Sequence, residues 1–233
     1  MRRAGYLLLV VLLAFPGWTI AETIRWSEDR HGCTFSADDD GKYRYGLWKN
    51  NVGIVIAVDA DEVRKANLRV EPLFAVFLIV RYRGKDSLTI SPSEISLEFV
   101  KHYNTRQPAI DPDAFALKLQ SQDDALAEKV RREIENHPEK AAKQQSLLQT
   151  HEHTVTQTRE FLISRSLRRG QVTADSPEVN GWVFFSAKSK WLGGWEKQEK
   201  FVLRIPAAGD VFEFPFALPP SSGDLLLRRR AHE

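Results

Sequence analysis

The chain has 233 residues, 42% of them hydrophobic, with 33 Lys+Arg against 31 Asp+Glu and a single cysteine. One cysteine excludes an internal disulfide framework, and near-equal charge gives no sign of the concentrated basic surface that a nucleic-acid partner needs, Arg228-Arg229-Arg230 being a local exception that reads as a solvated end. What remains is a chain long enough for one well-cored domain or two small ones, held by ordinary burial.

The N-terminus, "MRRAGYLLLVVLLAFPGWTIA", reads as an export signal. Arg2 and Arg3 precede an apolar run from Tyr6 to Phe15, Pro16-Gly17 breaks it, and Thr19 and Ala21 stand at the spacing a signal peptidase reads. The run is about half the roughly twenty residues of a membrane span. A signal peptide over residues 1–21 is therefore expected, with a mature chain over 22–233, no stable membrane span after cleavage, and a secreted or periplasmic location. No cysteine at the cleavage site suggests a lipid anchor. Without Arg2 and Arg3 the basic count falls to 31, equal to the acidic one.

Strand patterns come first. In "KYRYGLWK", Tyr43, Tyr45 and Leu47 alternate with Arg44, Gly46 and Trp48, and "GIVIAVD" (53–59) is rich in β-branched residues. The unbroken apolar run from Leu73 to Val80 predicts a strand in the middle of a sheet, covered on both faces. Ile95, Leu97 and Phe99 then share one face of a shorter strand.

After Ile110 the period becomes helical. Asp111 is placed as an N-cap with Pro112 at the first helical position. Phe115, Leu119, Leu126, Val130 and Ile134 form one stripe, and Ser121 and Asp124 repeat a capping pattern at which the helix could restart. His137-Pro138 ends this helix and opens a second, predicted to run to about Arg169 with Gly170 as its stop. The second stripe (Leu147, Leu148, Val155, Phe161, Leu162) is thinner, so residues 111–170 are expected to form an inserted hairpin packed helix against helix, with little contact to the sheet.

Strand patterns resume at Gly181. Phe212, Phe214 and Phe216 share a face opposite Glu213 and Pro215, and the proline points to an edge strand. "GDLLLRRR" suggests a last short strand. The expected fold is mainly β with a helical insertion: a two-layer antiparallel sandwich of eight or nine strands plus a helical hairpin. "FAVFLIVRYRGKDSLTISPSEISLEF", with "NGWVFFS" and "EKFVLRIP", resembles immunoglobulin-like β-sandwich domains of uncharacterised exported bacterial proteins. The resemblance implies a binding or structural module and carries over no catalytic residue.

Candidate sites are few. His151 and His153 project to nearly opposite sides of a helix and suit solvent better than a shared metal. Asp38, Asp39 and Asp40 before Gly41 lack the first and last ligands of a calcium loop and read as a hairpin turn. His31 beside Cys33 is a thin basis for a thiol nucleophile, and Cys33 reads as a buried small residue or as a free thiol able to link two copies. No catalytic residue, metal site or cofactor is expected. Trp182 lies in "WVFF" and reads as core. Trp191 and Trp195 flank Leu192-Gly193-Gly194 in a turn, where they either cap the sandwich end or present a platform to a sugar or protein. The sequence thus favours a non-enzymatic binding or structural protein of the envelope, whose partner is an envelope or extracellular protein. A glycan bound by Trp191 and Trp195 is the first alternative, and an unrecognised envelope enzyme the second.

Overall fold

The computed structural model describes residues 21–188 and 198–218. The predicted signal segment, Trp191, Trp195 and the expected strand in "GDLLLRRR" lie outside the described residues. The described chain is mainly β, with two large sheets and a helical hairpin.

Five antiparallel strands form the first large sheet. They are β2 (Cys33–Ala37), β3 (Lys42–Lys49), β4 (Val52–Asp59), β5 (Leu73–Tyr82) and β10 (Glu178–Ser186), in the order β10-β5-β4-β3-β2. The second sheet has the order β1-β12-β11-β7-β8, made from β1 (Thr23–Arg25), β7 (Ser96–Phe99), β8 (Thr105–Pro108), β11 (Glu199–Ala207) and β12 (Asp210–Leu218). β1 runs parallel to β12; the other pairs are antiparallel. A small sheet joins β6 (Leu88–Ile90) to β9 (Gly170–Val172).

Period-2 alternation decides what each face buries. Phe74, Val76, Leu78 and Val80 of β5, Ile54, Ile56 and Val58 of β4, and Val183 and Phe185 of β10 point to one side. Leu97, Phe99, Phe201, Leu203, Ile205, Phe212, Phe214 and Phe216 meet them from the second sheet in one continuous core. Rings carry its centre: Phe74 lies 4.6 Å from Phe201, and Phe201 lies 5.2 Å from Phe216.

The two sheets dispose of their outer faces differently. On the second sheet, each strand contributes one charge to a line across all five: Arg25, Glu213, Arg204, Glu98 and Arg106. Arg204 joins both glutamates, and Glu213 is buried with Phe212 and Phe214 on either side of it. The first sheet instead carries the hairpin of α2 (Pro112–Asn136) and α3 (Ala141–Arg165), each about 37 Å long.

Several expectations are corrected. The hairpin is not packed only helix against helix: Phe115, Leu119, Val155 and Leu162 cluster with Leu73, Ala75 and Phe184 of the sheet. The reason is that β5 is apolar on both faces, so its outward residues need a cover as much as its inward ones do. α2 runs without a restart at Ser121. α3 stops at Arg165, short of Gly170, because Ser166 leaves the helix in extended conformation to bridge to Trp182. β12 is not an edge strand. Pro215 is tolerated because β1 pairs only with Val211–Glu213, so the side of β12 that lacks a donor at Pro215 faces past the end of β1. Trp182 sits on the outer face of β10, half-buried, and not between the sheets.

A short helix, α1 (Glu62–Leu68), was not foreseen. The β4–β5 ladder ends at Ala57–Phe77, leaving the next backbone groups of β5 without strand partners. Side chains from the α1 segment take their place. Glu62 Oε1 accepts the Ala75 N–H at 2.6 Å, Arg69 donates to the Leu73 carbonyl, and Arg69 Nη2 meets Glu62 Oε2 at 3.0 Å. Burial pushes the Glu62 carboxyl pKa up, against the pull of Arg69 and the Ala75 N–H.

Candidate interaction surface

The root of the hairpin is built from backbone. Asp111 Oδ1 accepts the N–H groups of Asp113 and Ala114 at 2.9 and 3.0 Å, which starts α2. Just before it, Ile110 N–H donates to the Phe184 carbonyl at 2.9 Å. Just after α3, Leu167 N–H donates to the Trp182 carbonyl at 2.8 Å. Both feet of the insertion therefore pair with the outer edge of β10, which would otherwise be bare. Gly181 makes this possible: a Cβ there would stand 2.6 Å from the Leu167 backbone N and Cα. Side chains add two further ties. Asp113 pairs with Arg168, whose hydrogen bond draws the Asp113 pKa down. Glu71 accepts from Lys118 at 2.8 Å and Gln122 at 2.9 Å; burial raises its pKa, but these bonds outweigh it and leave the pKa lowered.

Beyond its root the hairpin covers only part of the first sheet. Leu73, Ala75 and Phe184 are shielded, whereas the next outward row, Ala57–Phe77–Trp182, and then Val55–Ile79, lie beside the cover. Trp182 packs 5.3 Å from Phe77 and 6.0 Å from Phe161 of α3, and Phe161 remains 43% exposed. These side chains form an apolar shelf: Val55, Phe77, Ile79 and Trp182 are each partly exposed, with Phe161 as its wall.

One face of α3 continues from that wall. Leu147, Thr150, Thr154, Thr158 and Phe161 fall within an arc of about 80° at 100° per residue. No charge interrupts them. The three threonine hydroxyls donate to carbonyls four residues back, at 2.9, 2.9 and 2.8 Å, so the face carries no unsatisfied donor. The seam towards α2 carries polar pairs beside its apolar cluster: Arg159 donates to Gln120, and His151 Nε2 stands 3.6 Å from the buried Asp123 carboxylate.

The other sequence candidates separate. His151 faces Asp123 while His153 is exposed, so the two do not converge. Asp38 and Asp40 pair with Arg44 and Lys42 in the β2–β3 turn, where Gly41 takes φ +78°. Cys33 is a free, partly buried thiol at the margin of the core. Among the described residues no three His, Cys, Asp or Glu side chains form a group that could hold a metal ion, and no helix is long and apolar enough to cross a membrane. The shelf was missed in the sequence. Phe77 and Trp182 belong to different strands, and only their register places them side by side; the three threonines at spacings of four were the legible signal. No family model matches the chain, and comparisons with curated proteins and with solved structures give no match.

Proposed function

We propose that this chain is an exported, non-enzymatic binding or structural protein of the cell envelope, secreted or periplasmic, that acts through protein–protein contact. Its scaffold is read as an immunoglobulin-like sandwich carrying a helical arm, a reading supported by two mainly antiparallel sheets sharing one core. The observation that carries the functional reading is the uncharged α3 face from Leu147 to Phe161, running onto the Phe77–Trp182 shelf. With 27% of all residues charged, a solvated helix face would be expected to break such a run. A contiguous exposed surface without charge, apolar at Leu147 and from Phe161 onto the shelf, marks a contact site more readily than a charged one.

The test is site-specific photocrosslinking in the native host. A photoreactive residue at Leu147 or Phe161 is expected to trap one discrete protein partner, and one at Arg106, on the outer face of the second sheet, is expected to trap none. Equal labelling from all three positions, or no adduct from the arm, rules the reading out.

A further inference from the structure

We propose that the edge of β12 beyond the end of β1 is a strand-addition site for an extended acidic peptide segment of a partner protein. This surface is separate from the arm and shelf, and it goes beyond the reading above. Val211 N–H donates to Glu22 O at 2.9 Å, and Trp26 N–H donates to Glu213 O at 2.7 Å. Residues of that parity therefore present their backbone groups to β1, and the alternate ones to β11. β1 stops at Arg25, so the Pro215 carbonyl and both backbone groups of Ala217 face the same side with no partner among the described residues. Pro215 removes one donor from this edge, which restricts the register an incoming strand can take.

A groove of about 310 Å³ opens on the outer face at the same place, lined by Val100, Val202, Pro215 and Ala217 with Arg25 and Lys200. Its floor is apolar, two of its lining residues are cationic and none is acidic; Arg25 already pairs with Glu213 at 3.5 Å, so the exposed Lys200 is the principal cation offered to a ligand. A strand added in line with β1 would lie about 4.8 Å from β12. Its outward side chains would then fall over Pro215 and Ala217. Arg25 is the last residue of β1 and meets one end of such a strand. Lys200 pairs across from Ala217 on β11, and the small alanine leaves it within reach of a long acidic side chain. Backbone pairing supplies affinity in this mode, and pockets for alternate side chains supply selectivity.

Charge selects the occupant. The chain's own segments outside the described residues carry a basic excess: Lys190 and Lys197 against Glu196 in 189–197, and Arg228, Arg229 and Arg230 against Asp224 and Glu233 in 219–233. They match the exposed Lys200 poorly, whereas an acidic partner matches it well.

The experiment is an amide-resolved NMR titration of the full mature chain. The probe is a capped hexapeptide alternating threonine with glutamate, valine and glutamate, and the control replaces both glutamates by lysine. The acidic peptide is expected to shift the Ala217 amide saturably and to slow its hydrogen exchange, with weaker binding at higher salt. Lys200→Glu, an exposed change, is expected to weaken it about tenfold and to favour the lysine peptide. Equal binding of both peptides, no saturable shift, or no effect of Lys200→Glu overturns the proposal. So does an Ala217 amide already protected in the free chain: concentration-independent protection would mean the chain's own segment fills the edge, and concentration-dependent protection would mean a second copy does.

Discussion

Gly181→Ala is the sharpest test of how the helical arm is attached. The added methyl carbon would stand 2.6 Å from both the backbone N and the Cα of Leu167, and 3.0 Å from the Ser166 carbonyl carbon. These are backbone atoms, so no rotamer change relieves the clash; the second foot of the hairpin must lift from β10. Lifting it removes the Leu167–Trp182 hydrogen bond, worth about 1 kcal/mol net, and adds repacking strain of about 1–3 kcal/mol. The expected loss is about 2–4 kcal/mol, or a fall in Tm of about 4–16 °C for a chain this size. Gly84→Ala is the matched control. Its Cβ would also meet atoms too closely, but these are the Tyr82 hydroxyl and the ring carbons next to it, at the far end of a side chain able to swing away. Denaturant unfolding of both variants, with limited proteolysis of residues 111–170, reads stability and attachment together. If Gly181→Ala unfolds at the wild-type midpoint with the hairpin still protected, the close approach of Leu167 to β10 is wrong.

Two further outcomes follow from the packing. Replacing residues 111–170 by a short Gly/Ser linker is expected to give aggregation, because it uncovers Leu73, Ala75 and Phe184 and strips both backbone partners from the edge of β10; a monomeric, cooperatively unfolding product in size-exclusion chromatography contradicts this. Glu62 has a folded pKa above its ordinary 4.5, so its stabilising share is full below that value and declines as pH rises through the folded pKa. Glu62→Gln, neutral throughout, should improve relative to wild type from acid to neutral pH, and a constant difference between the two unfolding midpoints would exclude this linkage.

What the sequence disclosed and what it hid divide by range. The interior place of β5, paired on both sides though covered only in part on its outer face, the alternation of β12 and the cap of α2 at Asp111 depend on neighbours a few residues apart, and each was legible. The stop of α3 was misplaced because Gly170 is the obvious local signal, while the operative one is a bridge from Ser166 to Trp182, sixteen positions along the chain. The Glu62–Arg69 clasp is invisible for a similar reason: its acceptor and donor are backbone groups of β5 that lack partners only because the β4 ladder ends early. Pro215 misled differently. Edge-like geometry was the correct requirement, but the end of a short neighbouring strand meets it as well as the edge of a sheet does.

The same long-range pairing gives the arm its mechanical character. An insertion tethered by two flexible linkers would move independently of the sheets and could not hold a fixed contact face. Here Ile110 and Leu167 both hydrogen-bond to β10, and β10 pairs along its full length with β5 in the core. The root of α3 is therefore fixed to the sheet, and Phe161, four residues before the end of α3, keeps its place against Trp182. A partner seated on the α3 face and the shelf would meet one preformed surface with little ordering left to do, which favours affinity. Loosening the root, as Gly181→Ala should, would then weaken partner capture at Leu147 as well as fold stability, although Leu147 lies nearly four helical turns from Phe161.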